Sequence, residues 1–322
     1  MPQPEGTPPP AGAAGDPERA AATPPRNERV QLSERVHALL GGVNCAIVDL
    51  GGGAALLVDS GQDKDHGRRV RKALDELGLT PQVVLSTHSH ADHFGGNAYL
   101  LRRYPEAQVW APEVEAEVIR APLLEPIYLF HGAKPLPELT SKWLQAEASP
   151  VHRVVAAGEQ TLGEVRLELI DVRGHAHRQL AVLVDGVLLA TDALFGAATL
   201  ARYPLPFAQD VGGQLAAFER VATVEATVTL PGHGAPTEDL AGLAAANREA
   251  VERAAAAVEA AADGVGAEEV LARATAALGI EMADLPRYHL NLTTVMAYLG
   301  WLREQGRVAA ELSGGRLAWR RA

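Results

Sequence analysis

Four potential metal ligands stand within six residues of this chain, His88-Ser-His-Ala-Asp-His93, directly after the apolar run Val83-Val84-Leu85. At the chain's own His and Asp frequencies, such an H-x-H-x-D-H pattern arises by chance in only about 5 of 10,000 chains. Alternate residues of an extended segment point to the same side, so His88 and His90 can bind one ion together. The following Asp-His pair stands where the chain turns, which suits a second ion. The segment therefore predicts a site for two Zn²⁺ ions, with Fe or Mn as alternatives.

Three further donors each follow a short apolar stretch that is typical of a strand. They are His175, Asp192 and His233. In α/β proteins the ends of strands expose side chains at a shared rim, where ligands bind. These residues therefore complete the predicted set of metal ligands.

Strand and helix patterns alternate between residues 43 and 240. Two apolar runs around Gly51-Gly-Gly53 predict a β-hairpin. A charged stretch over 63–77, closed by Gly78, predicts a helix. Further strands are predicted at 83–85, 108–110, 165–172, 180–184, 187–190 and 226–230. The alternation predicts an α/β fold in which helices cover layers of sheet.

Two segments have little regular pattern. Residues 1–28 are rich in Pro, Ala and Gly and offer almost nothing apolar to bury, which predicts a disordered tail. Residues 104–150 contain seven Pro and several aromatic side chains. This insertion is either a lid over the site or a packed surface excursion. Its Tyr128, His131 and Lys134 are candidate substrate contacts.

Residues 241–322 read as a C-terminal helical, winged-helix-like segment. Alanine-rich helices are predicted at 238–262 and 267–278, a third helix at 291–305, and a hairpin around Ser313-Gly-Gly315. Winged helices can bind nucleic acid. Residues 264–322, however, contain seven Arg and six Asp or Glu, so the sequence shows no basic stripe. A structural role or a homodimer contact is favoured. Tyr288 and His289 are further candidate substrate contacts.

Composition excludes several classes of protein. The 29 basic and 40 acidic residues give a formal net charge of −11, which argues against general affinity for nucleic acid or anionic membranes. No apolar run approaches the roughly 18 to 20 residues that span a bilayer, and no signal-peptide pattern opens the sequence. The single cysteine, Cys45, cannot form an intramolecular disulfide and is expected to pack inside a strand. We expect a cytoplasmic protein that acts on a small molecule.

Over residues 29–240 the chain resembles the metallo-β-lactamase fold superfamily. The resemblance rests on four segments in the family's order: Ser86–Gly96, Arg173-Gly-His175, Ala190–Phe195 and Pro231-Gly-His-Gly234. It implies an αββα sandwich with a two-metal site in a cleft at one edge. By the same resemblance, metal one would be held by His88, His90 and His175, and metal two by Asp92, His93 and His233, with Asp192 bridging both.

Two positions depart from the pattern of that family. The third ligand often lies in Gly-His-Thr-Pro-Gly-His, whereas here the segment is Gly174-His-Ala-His-Arg-Gln179. His177 is therefore expected to lie beside the ligands or to be structural. Thr191 stands before Asp192, where glycine is frequent. Neither departure removes a ligand.

The resemblance also separates branches of the superfamily. True β-lactamases generally lack the aspartate that corresponds to Asp192, and di-iron flavoproteins have Glu at the position of His90. Nuclease relatives often carry a large inserted domain, for which the 40 residues between Asp192 and His233 leave no room. The pattern is most similar to that of thioester and lactone hydrolases, typified by glyoxalase II.

We therefore hypothesise a metal-dependent hydrolase of thioesters, esters or lactones. A hydroxide bridging the two ions would attack the carbonyl, because paired metals lower the pKa of bound water. Asp92 would orient this nucleophile and later pass a proton to the leaving group. A phosphodiesterase or nuclease, and a ligand-sensing protein without turnover, are the alternatives.

Overall fold

Two β-sheets stack face to face in the computed structural model, which describes residues 28–322. The first sheet has seven strands in chain order: β1 (Glu28–Gln31), β2 (Val36–Leu40), β3 (Cys45–Gly51), β4 (Ala54–Val58), β5 (Thr80–Leu85), β6 (Gln108–Pro112) and β7 (Arg153–Val155). The second sheet has five, ordered β12-β11-β10-β9-β8: β8 (Gly158–Leu162), β9 (Val165–Asp171), β10 (Leu180–Val184), β11 (Val187–Phe195) and β12 (Val228–His233). The tail predicted for residues 1–28 lies outside the described residues except for Glu28, which opens β1.

Helices cover the outer face of each sheet. In chain order they are α1 (Lys64–Leu77), α2 (Ala91–Phe94), α3 (Asn97–Arg103), α4 (Glu115–Arg120), α5 (Leu124–Leu129), a 3-10 helix (Pro137–Thr140), α6 (Ala197–Arg202), α7 (Val211–Val221), α8 (Leu240–Ala261), α9 (Ala267–Ala277) and α10 (Leu285–Glu304). An apolar cluster outside the first sheet includes residues of α1 to α4, and another outside the second sheet includes residues of α7 to α10. The predicted α/β fold of the αββα type is confirmed.

The core between the sheets follows from alternation along the strands. Val36, Ala38 and Leu40 of β2 are buried on the inner face, opposite Leu167 and Leu169 of β9. Side chains two apart on a strand point to one face, so each strand gives one row to this core. The burial of the inner face holds the two sheets together along their length.

Helix α1 shows how local sequence sets an element. The Asp63 carboxylate accepts hydrogen bonds from the N–H groups of Asp65 and His66 and begins the helix. Gly78 ends it in the left-handed conformation, with φ of 68°, which glycine adopts without strain. The predicted helix over 63–77 is confirmed.

The C-terminal part has the element order of a winged helix. After α8 come β13 (Asp263–Val265), α9, α10, β14 (Val308–Ser313) and β15 (Arg316–Arg321), and the strands pair in the order β13-β15-β14. The predicted C-terminal helices are present, although α10 begins at Leu285 rather than at 291, because Asp284 caps it and Pro286 stands in its first turn. One apolar cluster joins α8, α9 and α10 to the second sheet.

The start of the first sheet differs from the sequence-based prediction. Strands β1 and β2 are not among the strands predicted from the sequence. In β2, which lies between β1 and β3, His37 is only 7% exposed. Among residues 28–322, every helix is too short or too polar to cross a membrane.

Candidate metal centre

The first four predicted ligands lie between the end of β5 and the end of α2. His88 and His90 stand in the connecting loop, and Asp92 and His93 in the single turn of α2. His88 and His93 are fully buried, whereas the Asp92 side chain is 32% exposed. Asp92 therefore faces the open side of the site.

Two glycines let this segment pack against the loop after β4. A Cβ on Gly95 would lie 1.8 Å from the Gln62 carbonyl oxygen, and one on Gly96 would lie 2.3 Å from that of Ser60. Real Cβ atoms do not approach backbone so closely, so only glycine fits.

The other three predicted ligands come from the second sheet. His175 follows β9, Asp192 lies within β11, and His233 ends β12. Because β11 and β12 are parallel, Asp192 and His233 reach the same edge of the sheet. The Nε2 atoms of His175 and His233 each lie 3.3 Å from Asp192 Oδ2.

All seven predicted ligands converge at this edge. Three groups have ligand atoms within 4.8 Å of one another: His88, His90 and His175; His88, His93 and Asp192; Asp92, His93 and His233. The first and third groups are the sets that the family resemblance implies for metals one and two, and Asp192 lies between them. The assignment to two ions stays a prediction.

Hydrogen bonds fix the ring orientation of four of the histidines. The Nδ1 atoms of His93, His175 and His233 face Asp59 Oδ2, the Phe207 carbonyl and the Gly42 carbonyl, which only accept hydrogen bonds. The Thr87 hydroxyl, 2.9 Å from Asp59 Oδ2, donates there, so it accepts from His88 Nδ1 at 3.2 Å. In these rings Nδ1 carries a proton, which leaves Nε2 as the atom that can bind a metal once it is unprotonated. In the absence of metal, His175 Nε2 lies 2.9 Å from His90 Nδ1.

Several buried donor atoms have no hydrogen-bond partner among the described residues. They are Nε2 of His88, His90 and His93, and Oδ1 of Asp192. His93 Nε2 lies 3.2 Å from Asp192 Oδ1 but without hydrogen-bond alignment. Orphaned buried polar atoms are costly, and three of these residues, His88, His93 and Asp192, have ligand atoms within 4.8 Å of one another. Nitrogen and carboxylate donors of this kind fit Zn²⁺.

Burial keeps three of the histidines neutral. Burial lowers the pKa of His88 well below its usual value and also lowers that of His90. It lowers the pKa of His175 to about 3, with the neighbouring His90 contributing. Neutral imidazole is the form that ligates metals, so these three rings are ready to bind.

The rings beside Asp192 behave in the opposite way. Burial lowers the pKa of His233, but the Asp192 carboxylate outweighs it and raises the pKa to about 9. For His93 burial is likewise outweighed, by Asp192 and Asp59, and the pKa rises well above its usual value. Burial raises the pKa of Asp192, but His233 and His93 hold it well below the usual range. Without metal, protons occupy these two rings at neutral pH.

We expect metal binding to release protons. A metal at Nε2 of His233 or His93 must displace the proton, so affinity should rise with pH until about 9, the pKa of His233. At pH 7.5 the release should be about one to two protons per chain. Calorimetric titration with Zn²⁺ in two buffers of different ionisation enthalpy measures it. Equal heats in both buffers would contradict the expectation.

Asp59 connects the loop that carries His88 to helix α2, which carries His93. Its buried carboxylate accepts from the Thr87 N–H at 2.8 Å, from the Thr87 hydroxyl, and from His93 Nδ1 at 2.7 Å. Asp59 has φ of 61°, an uncommon value for a residue other than glycine. No role was predicted for it, although it lies in Val58-Asp-Ser-Gly61, where a polar residue directly follows a strand.

The two departures from the family pattern contact each other. Thr191 has φ of 48°, a backbone conformation that glycine adopts without strain. The carboxamide of buried Gln179 lies 2.9 Å from the Thr191 hydroxyl. With its oxygen turned to β11, it accepts from the N–H groups of Asp192 at 3.1 Å and Ala193 at 3.0 Å. Gln179 thus steadies the backbone that carries Asp192, whereas His177 is exposed.

Substitutions of Thr191 should separate backbone strain from hydrogen bonding. Thr191→Val keeps a β-branched residue at positive φ and loses the hydroxyl, whereas Thr191→Gly loses the hydroxyl but relieves the strain. We expect the glycine variant to be more stable than the valine variant by about 1 kcal/mol. Urea unfolding measures the difference. A valine variant as stable as the glycine variant would show that position 191 is unstrained.

The loop between β2 and β3 holds the end of β12. Asn44 donates from its side chain to the carbonyls of Pro231 at 2.9 Å and Gly234 at 2.8 Å. Its backbone N–H donates to the Gly232 carbonyl at 2.8 Å. With the Gly42 carbonyl facing His233, this loop fixes the last ligand. Sequence reasoning missed Asn44, since a polar loop residue carries no local sign of such contacts.

The insertion 104–150 reaches the site through Tyr128. The Tyr128 hydroxyl accepts from Gln209 Nε2 at 3.2 Å, and the Gln209 N–H donates to the Gly174 carbonyl, next to His175. Burial, with Asp92 and Glu115 nearby, raises the pKa of Glu125 well above its usual value, so Glu125 is an uncharged acid beside Tyr128. Sequence reasoning missed it.

The other candidate substrate contacts differ in exposure and packing. His131 and Lys134 are exposed. His289 is buried with its ring 5.2 Å from that of Phe130, and Tyr288 packs on the cluster outside the second sheet. Leu129, Leu139 and Leu144 form a small core of the insertion, against which Leu290 of α10 packs. The lid role stays a prediction.

A family model described as "Metallo-beta-lactamase superfamily" matches residues 38–233, more than half of the chain. The chain belongs to the metallo-beta-lactamase superfamily. Among curated relatives, it is 29% identical over 143 residues to a hydroxyacylglutathione hydrolase of Xanthomonas euvesicatoria. That match covers 44% of this chain and 43% of the relative, so the chain spans less than half the length of this relative.

Solved structures of the superfamily share the fold over most of the chain. A beta-lactamase domain protein from Burkholderia ambifaria matches with a TM-score of 0.72 and 21% identity, covering 94% of this chain and 96% of its own. A metallo-beta-lactamase family protein from Thermus thermophilus matches with a TM-score of 0.66 and 23% identity, covering 87% and 94%. At this coverage the shared fold extends beyond the matched residues 38–233.

Proposed function

We propose that this chain is a hydrolase that uses two divalent metal ions, Zn²⁺ in the first place, to cleave a thioester, ester or lactone of a small molecule. The observation that carries the proposal is the convergence of all seven donors around Asp192. The curated relatives named hydroxyacylglutathione hydrolase favour the thioester among these substrates.

The exposure of the ligands indicates where substrate enters. His88, His93, His175 and Asp192 form a buried floor, whereas the side chains of Asp92 and His233 are 32% and 22% exposed. The rings of Phe207 and Phe195 lie 5.4 Å and 5.6 Å from that of His175 and exclude water from that side. A carbonyl group therefore approaches over Asp92 and His233.

Asp92 is the residue placed to handle the proton. Two bound metal ions would supply a water made acidic by both of them, together with a Lewis acid for the carbonyl. The Asp92 carboxylate, with Oδ2 3.5 Å from His233 Nε2, orients that water from the open side. The same carboxylate then holds the proton and delivers it to the leaving group. Asp192, wholly inside, keeps the two ligand groups together.

Thiol release tests this function. Metal-replete protein is offered a panel of acyl-glutathione and acyl-CoA thioesters, and the free thiol is measured, with Asp92→Ala as the control. We expect release by the wild-type chain that disappears in the variant. Release that persists in Asp92→Ala would contradict the role of Asp92. No thiol release from any thioester, together with no acid release from simple esters and lactones, would overturn the proposed substrates.

The C-terminal segment is the feature that favours a phosphodiesterase or nuclease as the second candidate. Its winged-helix order ends in β15, where Arg316, Arg320 and Arg321 are exposed. The overall charge of −11 opposes binding to nucleic acid. Hydrolysis of a chromogenic phosphodiester, with no thiol release, would favour this candidate. Metal binding without turnover of any ester would favour a ligand-sensing protein.

A cytoplasmic location and a homodimer are part of the same proposal. The single cysteine, Cys45, is buried in β3, and burial raises the pKa of its thiol far above the usual value. Such a thiol is inert in disulfide chemistry, so the fold does not depend on oxidation. The oligomeric state is measured by light scattering of the purified chain.

A further inference from the structure

Glu115 is a buried carboxylate that joins two ligand-bearing loops. It is the first residue of α4 and is only 3% exposed. Its Oε2 accepts from the Ser89 N–H at 3.0 Å and from the Ser89 hydroxyl at 2.6 Å, and its Oε1 accepts from the Arg178 N–H at 3.0 Å. Both oxygens are therefore committed to backbone near the predicted ligands.

The two loops come from different sheets. Ser89 stands between His88 and His90, in the loop after the first sheet's β5, and Arg178 follows His175 by three residues, after the second sheet's β9. These three histidines form one of the groups that could hold a metal. One side chain from the insertion thus sets the separation of the two halves of that group.

We propose that Glu115 is a positioning residue of the metal centre, which holds the His88–His90 loop and the His175 loop at the spacing that one ion requires. This inference rests on the proposed metal centre but not on the substrate. Groups that orient metal ligands from outside the coordination sphere commonly change metal affinity 10- to 100-fold when they are replaced.

The backbone before Glu115 supports a specific role. The Glu115 N–H donates to the Glu113 carbonyl at 2.8 Å across Val114, whose φ of 69° and ψ of −56° form a classic-type γ-turn. This turn is rare and strained, and Val114 is β-branched and 42% exposed, so packing of its side chain does not explain it. The strained turn directly precedes Glu115 and sets the position from which its carboxylate reaches the two loops.

The hydrogen bonds also account for the burial of this side chain. A buried polar group is costly unless it is hydrogen-bonded, and each carboxyl oxygen of Glu115 has a backbone N–H as its partner. Loss of the Glu115 side chain would leave the N–H groups of Ser89 and Arg178 without this partner, next to the predicted ligands.

The test compares Glu115→Gln with Glu113→Gln in the full chain. Zn²⁺ affinity is measured by competition with a chromophoric chelator, and coordination geometry by the visible absorption of the Co²⁺-loaded protein. Glutamine has one acceptor oxygen, so it can hold only one of the two loops. We expect Glu115→Gln to weaken Zn²⁺ binding about 10- to 100-fold and to alter the Co²⁺ bands. Glu113→Gln, an equal charge change at an exposed side chain, should match wild type.

A folded Glu115→Gln variant with wild-type affinity and wild-type Co²⁺ bands would overturn the inference. If that variant does not fold, Ser89→Ala removes only the hydroxyl bond, and it should weaken Zn²⁺ binding about tenfold; unchanged affinity overturns the inference there too. Neither measurement uses hydrolysis. A chain that releases no thiol but responds to Glu115→Gln refutes the proposed substrate alone, and an active thioesterase indifferent to Glu115→Gln refutes this inference alone.

Discussion

Asp92→Asn is expected to lower kcat/KM for the best thioester about 10³-fold, within the range found when a positioned acid–base group is removed. The amide keeps the shape of the side chain but cannot accept the proton from the attacking water or return it to the leaving group. The Asp92 side chain is also more exposed than that of Asp192, the other predicted carboxylate ligand, at 32% against 5%. Replacement of Asp92 should therefore disturb the fold little. Initial rates of thiol release with metal-saturated protein measure the effect.

Asp75→Asn is the matched control for that experiment. Asp75 lies in α1, where it pairs with Arg71 at the surface, and exposed pairs of this kind contribute little to stability. Its kcat/KM should therefore equal that of wild type. The prediction fails if Asp92→Asn keeps wild-type turnover with two metals bound.

Gly232→Ala is expected to displace Asp192, which lies between the two groups of predicted ligands. A Cβ on Gly232 would lie 1.8 Å from Asp192 Oδ1 and 2.8 Å from the carbonyl carbon of Thr191. The backbone cannot give way easily, because Pro231 and His233 on either side pair with β11 and the Gly232 carbonyl accepts from the Asn44 N–H. Asp192 must therefore leave its place between the histidines, and Zn²⁺ affinity should fall about 100-fold or more. The overpacking should also cost about 1–3 kcal/mol of stability.

Gly300→Ala is the control for the change of glycine to alanine. A Cβ on Gly300 in α10 has nothing within 4 Å, so we expect unchanged metal affinity and a gain of about 0.5–1 kcal/mol from helix propensity. Metal content by elemental analysis and affinity by chelator competition compare the two variants. Two tightly bound Zn²⁺ per chain in Gly232→Ala would refute the expectation.

The fold and the converging donors could be predicted because their marks are local. Each of His175, Asp192 and His233 follows an apolar run, which marks a strand within a few residues of sequence. The predicted end of the strand at 190 was wrong, because β11 continues past Asp192 to Phe195. The H-x-H-x-D-H segment adds spacing that few chains contain by chance. Alternation of strands and helices then leaves few arrangements other than stacked sheets covered by helices.

The residues that orient the ligands could not be predicted in this way. Glu115 bonds to Ser89, 26 positions earlier, and to Arg178, 63 positions later, and nothing near it in sequence marks those partners. Gln179 and Thr191 were noticed as departures from the family, but their contact with each other depends on the pairing of three strands. Strand β2 was not predicted, because a short apolar stretch that contains the polar His37 gives little sign of a strand buried on both faces.

Each predicted metal position draws its ligands from both sheets of the sandwich. An ion bound there would connect the two layers, in addition to their apolar contact and the hydrogen bonds of Glu115 and Asn44, and it would bind only when both layers have assembled. At free metal a thousand times above Kd, such linkage adds about 4 kcal/mol to the stability of the folded state. The melting temperature of this chain should therefore follow the metal supply of its surroundings, so that a cell short of metal loses the folded protein together with its activity.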